Sequence, residues 1–504
     1  MNEAFSSELS TLPDTRPGAA GKELVDLWND SRLRTAQAKS SSVRPAPRLV
    51  PWHSALEDIL KVGYGVQTQP RFVAGAWQRV RWRTTPSAGA LYPFEVIVGI
   101  VGEGSYLWDI EGRLVPCAMA PLTAEDLAAA GFVTTPGHHP EAVLILVARP
   151  WLSMKKYHRR GYSYCHLDVG HTATNLAIYT SALGLTPTVH LRFSHTALAG
   201  HLKLGGLCRE PLAVLSFASP EPPAVLEPAA DLEPAAGLEL ACLELPGQQE
   251  IVNWESLRGV LSLDCPLEPP CAPAVSTLLR EPPEMPEESL LPLPAGRPLP
   301  SAATEWRSAI LGRRSAKGFR NEPVSVAQIG ELLGALRVPG LPADCSPEDP
   351  ARLGVRLVAR NVEGLAGVFA YAPRSHALQR IDEHAGDPRP ACMQQEIAGD
   401  AAALVIFHAP ICHLVEQQGY STFAELHFHA AQLGQRLHLA AARLGAVGIT
   451  CVGGFDDEQC AMLAHLDAGD EAVYVILLGI PNDAAFKHDR LSVAFSHGYT
   501  TLET

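Results

Sequence analysis

What most constrains this 504-residue chain is that it is written twice. The short segments Tyr106-Leu-Trp108 and Phe369-Ala-Tyr371 are both alternating strands. The apolar strands Glu141–Ala148 and Ala402–Ala409 recur about 261 positions apart. At nearly the same spacing, helices opening at His166 and His427 run into Leu183-Gly184 and Leu444-Gly445, and Leu212–Phe217 and Ala472–Leu478 close each half. Amphipathic helix starts at Ala55–Leu60 and Ala327–Leu333 precede both sets. A near-constant offset over several elements is the mark of a tandem duplication. Each half alternates helices with strands in the order of an α+β sandwich, a sheet with helices on its faces. The expected architecture is two such domains folded back on each other as an intrachain pseudo-dimer.

Between the halves lies a seam. Residues 219–300 hold 17 of the 42 prolines, which remove backbone donors and break helices, so most of this stretch reads as an extended linker. One island, Gln248–Leu263, places Ile251, Trp254, Leu257 and Leu261 at helical spacing and is expected to dock on a domain. The expected boundaries are a flexible start over 1–21, a first domain over 22–218, the linker over 219–300 and a second domain over 301–504. The linker also carries 14 acidic and 3 basic residues, most of the net charge of −14. A net negative chain argues against nucleic acid as partner. No apolar run approaches the roughly 18 residues of a membrane helix, and Met1–Ser10 lacks a secretory pattern. Eleven cysteines without a CxxC pair read as reduced thiols, so the expected location is cytoplasmic. His408 and His413, and His427 and His429, have spacings a metal could use. No carboxylate or thiolate completes a set, so no metal is expected.

Five segments carry candidate chemistry. Arg83-Thr-Thr-Pro-Ser-Ala-Gly-Ala-Leu-Tyr-Pro93 combines a stiff Pro86, the Ser87 hydroxyl and the small residues Ala88 and Gly89, which let backbone approach a flat or phosphorylated ligand. Lys156-Tyr157, with Arg159 and Arg160 close by, offers a proton donor or acceptor. Arg313, Arg314, Ser315 and Lys317 put three cations and a hydroxyl within five residues, a set suited to a phosphate monoester. Gly453-Gly454 is a turn whose amides could face a ligand, and Lys487 and Arg490 form a second basic arm. Taken alone, each is also compatible with an ordinary turn or a solvated basic surface.

Together, Arg83–Glu95, Lys156–Tyr162 and Asp168–Leu176 with Leu183-Gly184-Leu185 resemble the azoline-oxidising (SagB/ThcOx-type) branch of the FMN-dependent nitroreductase superfamily. The second half resembles the same superfamily through Arg313–Phe319, Gly453-Gly454-Phe455 and Gly479-Ile-Pro481. The resemblance implies nitroreductase-like sandwich domains with FMN in their interface. It further implies an oxidoreductase that dehydrogenates an azoline-type heterocycle in a natural-product intermediate, with Lys156 and Tyr157 as base or acid and dioxygen or another acceptor taking the electrons.

The chain departs from that pattern in how it divides the equipment. The first half has Pro86–Gly89, but Ser41 stands near the position equivalent to Arg314, and His190-Leu-Arg192 replaces Gly453-Gly454. The second half has the basic arms but nothing like Pro-Ser-Ala-Gly between Val338 and Arg356. The expectation is one FMN site per chain, built from Arg83, Pro86, Ser87, Ala88 and Gly89 on one side. The other side would be Arg313, Arg314, Ser315, Lys317, Gly453, Gly454, Lys487 and Arg490. Residues 1–45 offer no peptide-binding domain, so the expected partners are a peptide or carrier-bound substrate and a separate leader-binding or cyclodehydratase protein. The alternatives are an NAD(P)H-dependent nitro- or quinone-reductase, and a flavin-poor scaffold.

Overall fold

Two runs, Ala142–Ala148 (AVLILVA) and Ala403–Ala409 (ALVIFHA), are buried at every position. A strand with both faces covered has no solvent side to alternate toward, so it reads as a continuous apolar run. Each is an inner strand of its own sheet. The computed structural model describes residues 51–73, 76–109, 112–117, 119, 121–132, 140–204, 208–218, 248–260, 278–283, 290–338 and 353–482. The expected flexible start, Ser41, Lys487, Arg490 and most of the proline-rich seam lie outside them.

The first domain opens with helix α1 (Pro51–Gly63) and an antiparallel hairpin, β1 (Val66–Val73) and β2 (Ala76–Arg83), that stands apart as its own two-stranded sheet. Strands β3 (Phe94–Ile100), β4 (Gly104–Trp108), β5 (Leu114–Pro116) and β6 (Ala142–Ala148) follow. Helices α2 (Pro150–Tyr157) and α3 (Arg160–Ala182) lead to β7 (Thr186–His190) and β8 (Glu210–Ala218). The sheet is antiparallel in the order β5-β4-β3-β6-β8-β7.

Within the seam, α4 (Gln248–Val260) docks through Trp254, which is 3% exposed. Trp254 packs with Trp151 and Met154 of α2 and with Tyr162 and Cys208. Farther along, Leu290–Pro292 is strand β9, so the proline-rich segment also contributes to the second sheet.

The second domain contains α5 (Ala303–Gly312), β10 (Phe319–Arg320), α6 (Val326–Gly334), β11 (Gly354–Val362), β12 (Leu365–Ala372) and β13 (Ala377–Asp382). It continues with β14 (Ala403–Ala409), α7 (Ile411–Gln418), α8 (Tyr420–Leu444), β15 (Gly448–Cys451), α9 (Asp457–Ala464) and β16 (Glu471–Pro481). Its sheet runs β10-β16-β14-β11-β12-β13-β9, with β15 also paired to β16. The path β13-β12-β11-β14-β16-β15 repeats the order β5-β4-β3-β6-β8-β7 of the first sheet.

Helices α3 and α8 pack against each other at the centre. Gly170 allows the approach: a Cβ there would lie 2.7 Å from the Phe428 carbonyl oxygen and 2.8 Å from the Ala431 methyl. Several polar groups buried in this contact are bonded in series. Asn175 Nδ2 donates to the carbonyls of Gly63 (3.1 Å) and Thr84 (3.2 Å), and its oxygen accepts from Gln435 Nε2 at 2.6 Å. Gln435 Oε1 therefore accepts from His171 Nδ1 at 2.8 Å, and His171 Nε2 accepts from the Tyr474 hydroxyl at 2.7 Å. Burial, opposed by the bond to Gln435, pushes His171 down to about 3, so the ring is neutral, as this directional chain requires. No helix among the described residues is long and apolar enough to cross a membrane.

Candidate active site

The Pro-Ser-Ala-Gly segment links β2 to β3, where the chain must turn sharply beneath α3. Gly89, Ala90 and Tyr92 all have left-handed backbones, with φ of 61°, 57° and 48°. Only the glycine adopts this without cost, so the turn stores strain that its surroundings must hold. Asp168, buried on α3, does part of this. The Ser87 hydroxyl and the Ala88 amide both donate to its carboxylate, and the Tyr92 amide donates to Ser87 Oγ at 2.9 Å. Burial drives the Asp168 carboxyl well above its ordinary range, and the bonds from Ser87 and Ala88 oppose that shift.

The turn meets α2 and the second domain at one point. A Cβ on Gly89 would lie 2.7 Å from both Lys156 Nζ and the Tyr157 hydroxyl oxygen. A Cβ on Gly453, which follows β15, would lie 3.3 Å from that same hydroxyl oxygen and 4.0 Å from the Gly89 nitrogen. Two glycines from opposite halves thus leave room around one phenol. Ala88 and Tyr157 pack against the core of the second domain, and Tyr157 sits edge-on to Tyr164 with centroids 5.0 Å apart. Burial, with Tyr164 and Asp168 nearby, raises Tyr157 above its ordinary value, so the phenol keeps its proton at neutral pH. Lys156 is exposed.

The basic residues sort differently from a simple phosphate arm. Arg313, 2% exposed, donates from Nε to the Thr84 carbonyl (2.7 Å), from Nη2 to the Arg83 carbonyl (2.8 Å) and from Nη1 to Ser315 Oγ (3.2 Å). It is a bolt between the second domain and the strand that leads into the turn. Arg83 is likewise buried, with its guanidinium 4.2 Å from the centroid of Tyr64 and 5.1 Å from that of Tyr92, and Nη1 donating to the Tyr64 carbonyl at 3.2 Å. Arg314 is exposed, 5.8 Å from the centroid of Trp82, and Lys317 is half-buried. Pro86 is buried and turns the chain into Ser87. Gly454 faces Met393, whose Cγ would lie 3.8 Å from a Cβ at that glycine.

At the offset that relates β6 to β14, the counterparts of Lys156 and Tyr157 are Gln417 and Gln418, and the counterpart of Gly453 is Arg192. Arg192 pairs with Glu425 at 2.5 Å, so an ion pair stands in one half where the other keeps an open glycine.

Residues 310–480 match the nitroreductase family. Over 135 residues the chain is 31% identical to a Methanocaldococcus jannaschii protein named as a nitroreductase, covering 26% of this chain and 63% of that one, less than two thirds of its length. A crystal structure from Anabaena variabilis, also named as a nitroreductase, superimposes with a TM-score of 0.65 and 24% identity. It spans 86% of this chain and 90% of its own, so both sheets share that fold. The Escherichia coli microcin synthetase McbBCD complex, with truncated pro-MccB17 bound, overlaps 37% of this chain and 73% of that one at 19% identity and a TM-score of 0.28, too low to bear on function.

Proposed function

We propose that the chain is a duplicated nitroreductase-type oxidoreductase whose halves pair as an intrachain pseudo-dimer, with one FMN held between them. In this reading it dehydrogenates an azoline-type ring in a peptide or carrier-bound intermediate. The observation that carries the reading is the meeting of Gly89 and Gly453 around the Tyr157 hydroxyl, with Lys156 beside it. A Cβ at Gly89 would meet both side-chain tips and one at Gly453 would crowd the phenol, so both turns bring bare backbone to the place where the flavin is proposed to lie. Arg314 and Lys317, with Lys487 and Arg490, would hold the phosphate, and the Ser87–Gly89 and Gly453-Gly454 backbones would line the ring. The mirror position, with Arg192 paired to Glu425 and glutamines in place of Lys156 and Tyr157, supports a single site per chain. The same assignment extends to a cytoplasmic location and a separate leader-binding or cyclodehydratase partner.

FMN, when bound, supplies the hydride acceptor. The protein must manage the proton that leaves carbon. Tyr157 keeps its proton at neutral pH, so it acts as a hydrogen-bond donor that orients the substrate heteroatom. Lys156 is the base, and it releases its own proton when substrate covers it and strips its water. Dehydrogenation should therefore rise with pH along a limb that disappears in Lys156→Gln and survives in Tyr157→Phe. A limb unchanged in Lys156→Gln would remove the lysine from that role.

The direct test is the visible spectrum of the purified chain and the FMN it releases. One FMN per chain is expected, and Arg314→Ala should empty it. No FMN after soaking would overturn the reading in favour of a scaffold. Rapid bleaching by NADPH with turnover on quinones would move the activity to a general reductase, which the family match of residues 310–480 also accommodates.

A further inference from the structure

We propose that Arg160 is a positioning residue: from the first domain it holds the glycine turn of the second domain in place, and so sets how tightly flavin is retained. The inference rests on the FMN reading above. Arg160 begins α3, three residues after Tyr157, and reaches across the domain boundary. Its Nη1 donates to the Phe455 carbonyl at 2.7 Å and its Nη2 donates to Asp457 Oδ1 at 2.6 Å. Its guanidinium carbon lies 4.0 Å from the centroid of the Phe455 ring. Three kinds of contact thus converge on the residues just after Gly453-Gly454.

An isolated surface ion pair contributes little, and the Asp457 side chain is 59% exposed. What separates Arg160 from such a pair is the second arm. A planar guanidinium can serve a backbone carbonyl and a carboxylate at once while stacking on a ring, which a lysine ammonium cannot. The bond to the Phe455 carbonyl fixes main chain, not a side-chain tip. On the other flank, Gln395 Nε2 donates to the Gly454 carbonyl at 3.1 Å. The turn is therefore held at two successive carbonyls, one bond coming from each domain. Since a Cβ at Gly453 would lie 3.3 Å from the Tyr157 hydroxyl oxygen, releasing the first-domain bond would let this turn shift at the junction where the ring is proposed to bind. The mirror half has a cross-domain pair of its own, Arg192 with Glu425, but there the arginine occupies the glycine position itself and holds no turn open.

The test is FMN binding by the full chain stripped of flavin, followed by fluorescence quenching, for wild type, Arg160→Ala, Arg160→Lys and Asp457→Asn. Arg160→Ala should weaken FMN binding at least about tenfold, with little change in the melting temperature of the flavin-free protein. Asp457→Asn keeps the bond to the Phe455 carbonyl and should bind within about threefold of wild type. Arg160→Lys should fall between, and it decides the matter if the alanine variant does not fold. Wild-type affinity in both Arg160 variants would overturn the proposal, and so would a larger loss in Asp457→Asn than in Arg160→Ala. Failure of wild type itself to bind FMN overturns the underlying flavin reading, a result separable from these.

Discussion

Replacing Gly170 by valine should lower the melting temperature by about 3 °C, corresponding to roughly 3 kcal/mol. In an isolated helix the change would go the other way, since glycine is the poorer helix former by about 0.3 kcal/mol. Here the added atoms have nowhere to go. The first would stand 2.7 Å from the Phe428 carbonyl oxygen and 2.8 Å from the Ala431 methyl, and backbone on a buried helix cannot step aside as a long side chain can. Relief requires α3 and α8 to separate. That would stretch the chain of bonds from Asn175 through Gln435 and His171 to Tyr474 and leave its members wanting partners in a dry interface. Differential scanning calorimetry reads the effect, and a melting temperature equal to or above wild type would refute this account of the interface.

The second large effect is expected at Arg313. Truncation to alanine removes the donor that reaches the Arg83 carbonyl at 2.8 Å and leaves the Thr84 carbonyl with only Asn175 Nδ2 at 3.2 Å, in a place where Arg313 is 2% exposed. A buried acceptor stranded in this way costs about 1–3 kcal/mol, and with the weakened hold on Thr84 a total of about 2–4 kcal/mol is expected. Lysine should recover only part of it, because one ammonium on a flexible stem cannot match the two-carbonyl fork. In calorimetry the alanine variant should melt in two steps as the domains uncouple. A single transition near the wild-type temperature would show that the bolt is not needed.

Arg313 also shows where reading from sequence succeeds and where it stops. The inner strands are legible because they are local: an unbroken apolar run such as AVLILVA or ALVIFHA has few other uses. The small-residue turn at Ser87–Gly89 is legible for the same reason. A cluster of cations is not, since charge alone does not say whether an arginine faces a phosphate or a carbonyl. Arg83 and Arg313 suit a phosphate as residue types, yet in the fold Arg83 lies over the Tyr64 ring and Arg313 donates to the Thr84 and Arg83 carbonyls. Arg160, by contrast, is near Tyr157 in sequence, but its bond partners at Phe455 and Asp457 come from almost 300 residues away. Strand β9 is hidden for a related reason: Leu290-Leu-Pro292 sits among prolines, and only its pairing with β13 makes it a strand.

The docking of α4 and the pairing of β9 also bear on how the two domains find each other. The segment joining them is pinned to the first domain at Trp254 and to the second by the bridge from Leu279 to Leu353, then again at β9. Of the 82 residues between the domains, only residues 255–278 separate Trp254 from Leu279. A tether that short keeps its two ends at an effective concentration in the millimolar range. The same interface formed between separate molecules would have to compete at their ordinary, far lower concentrations. Exchange of halves between chains is disfavoured accordingly, and each newly made chain can complete its own interface without waiting for a second one.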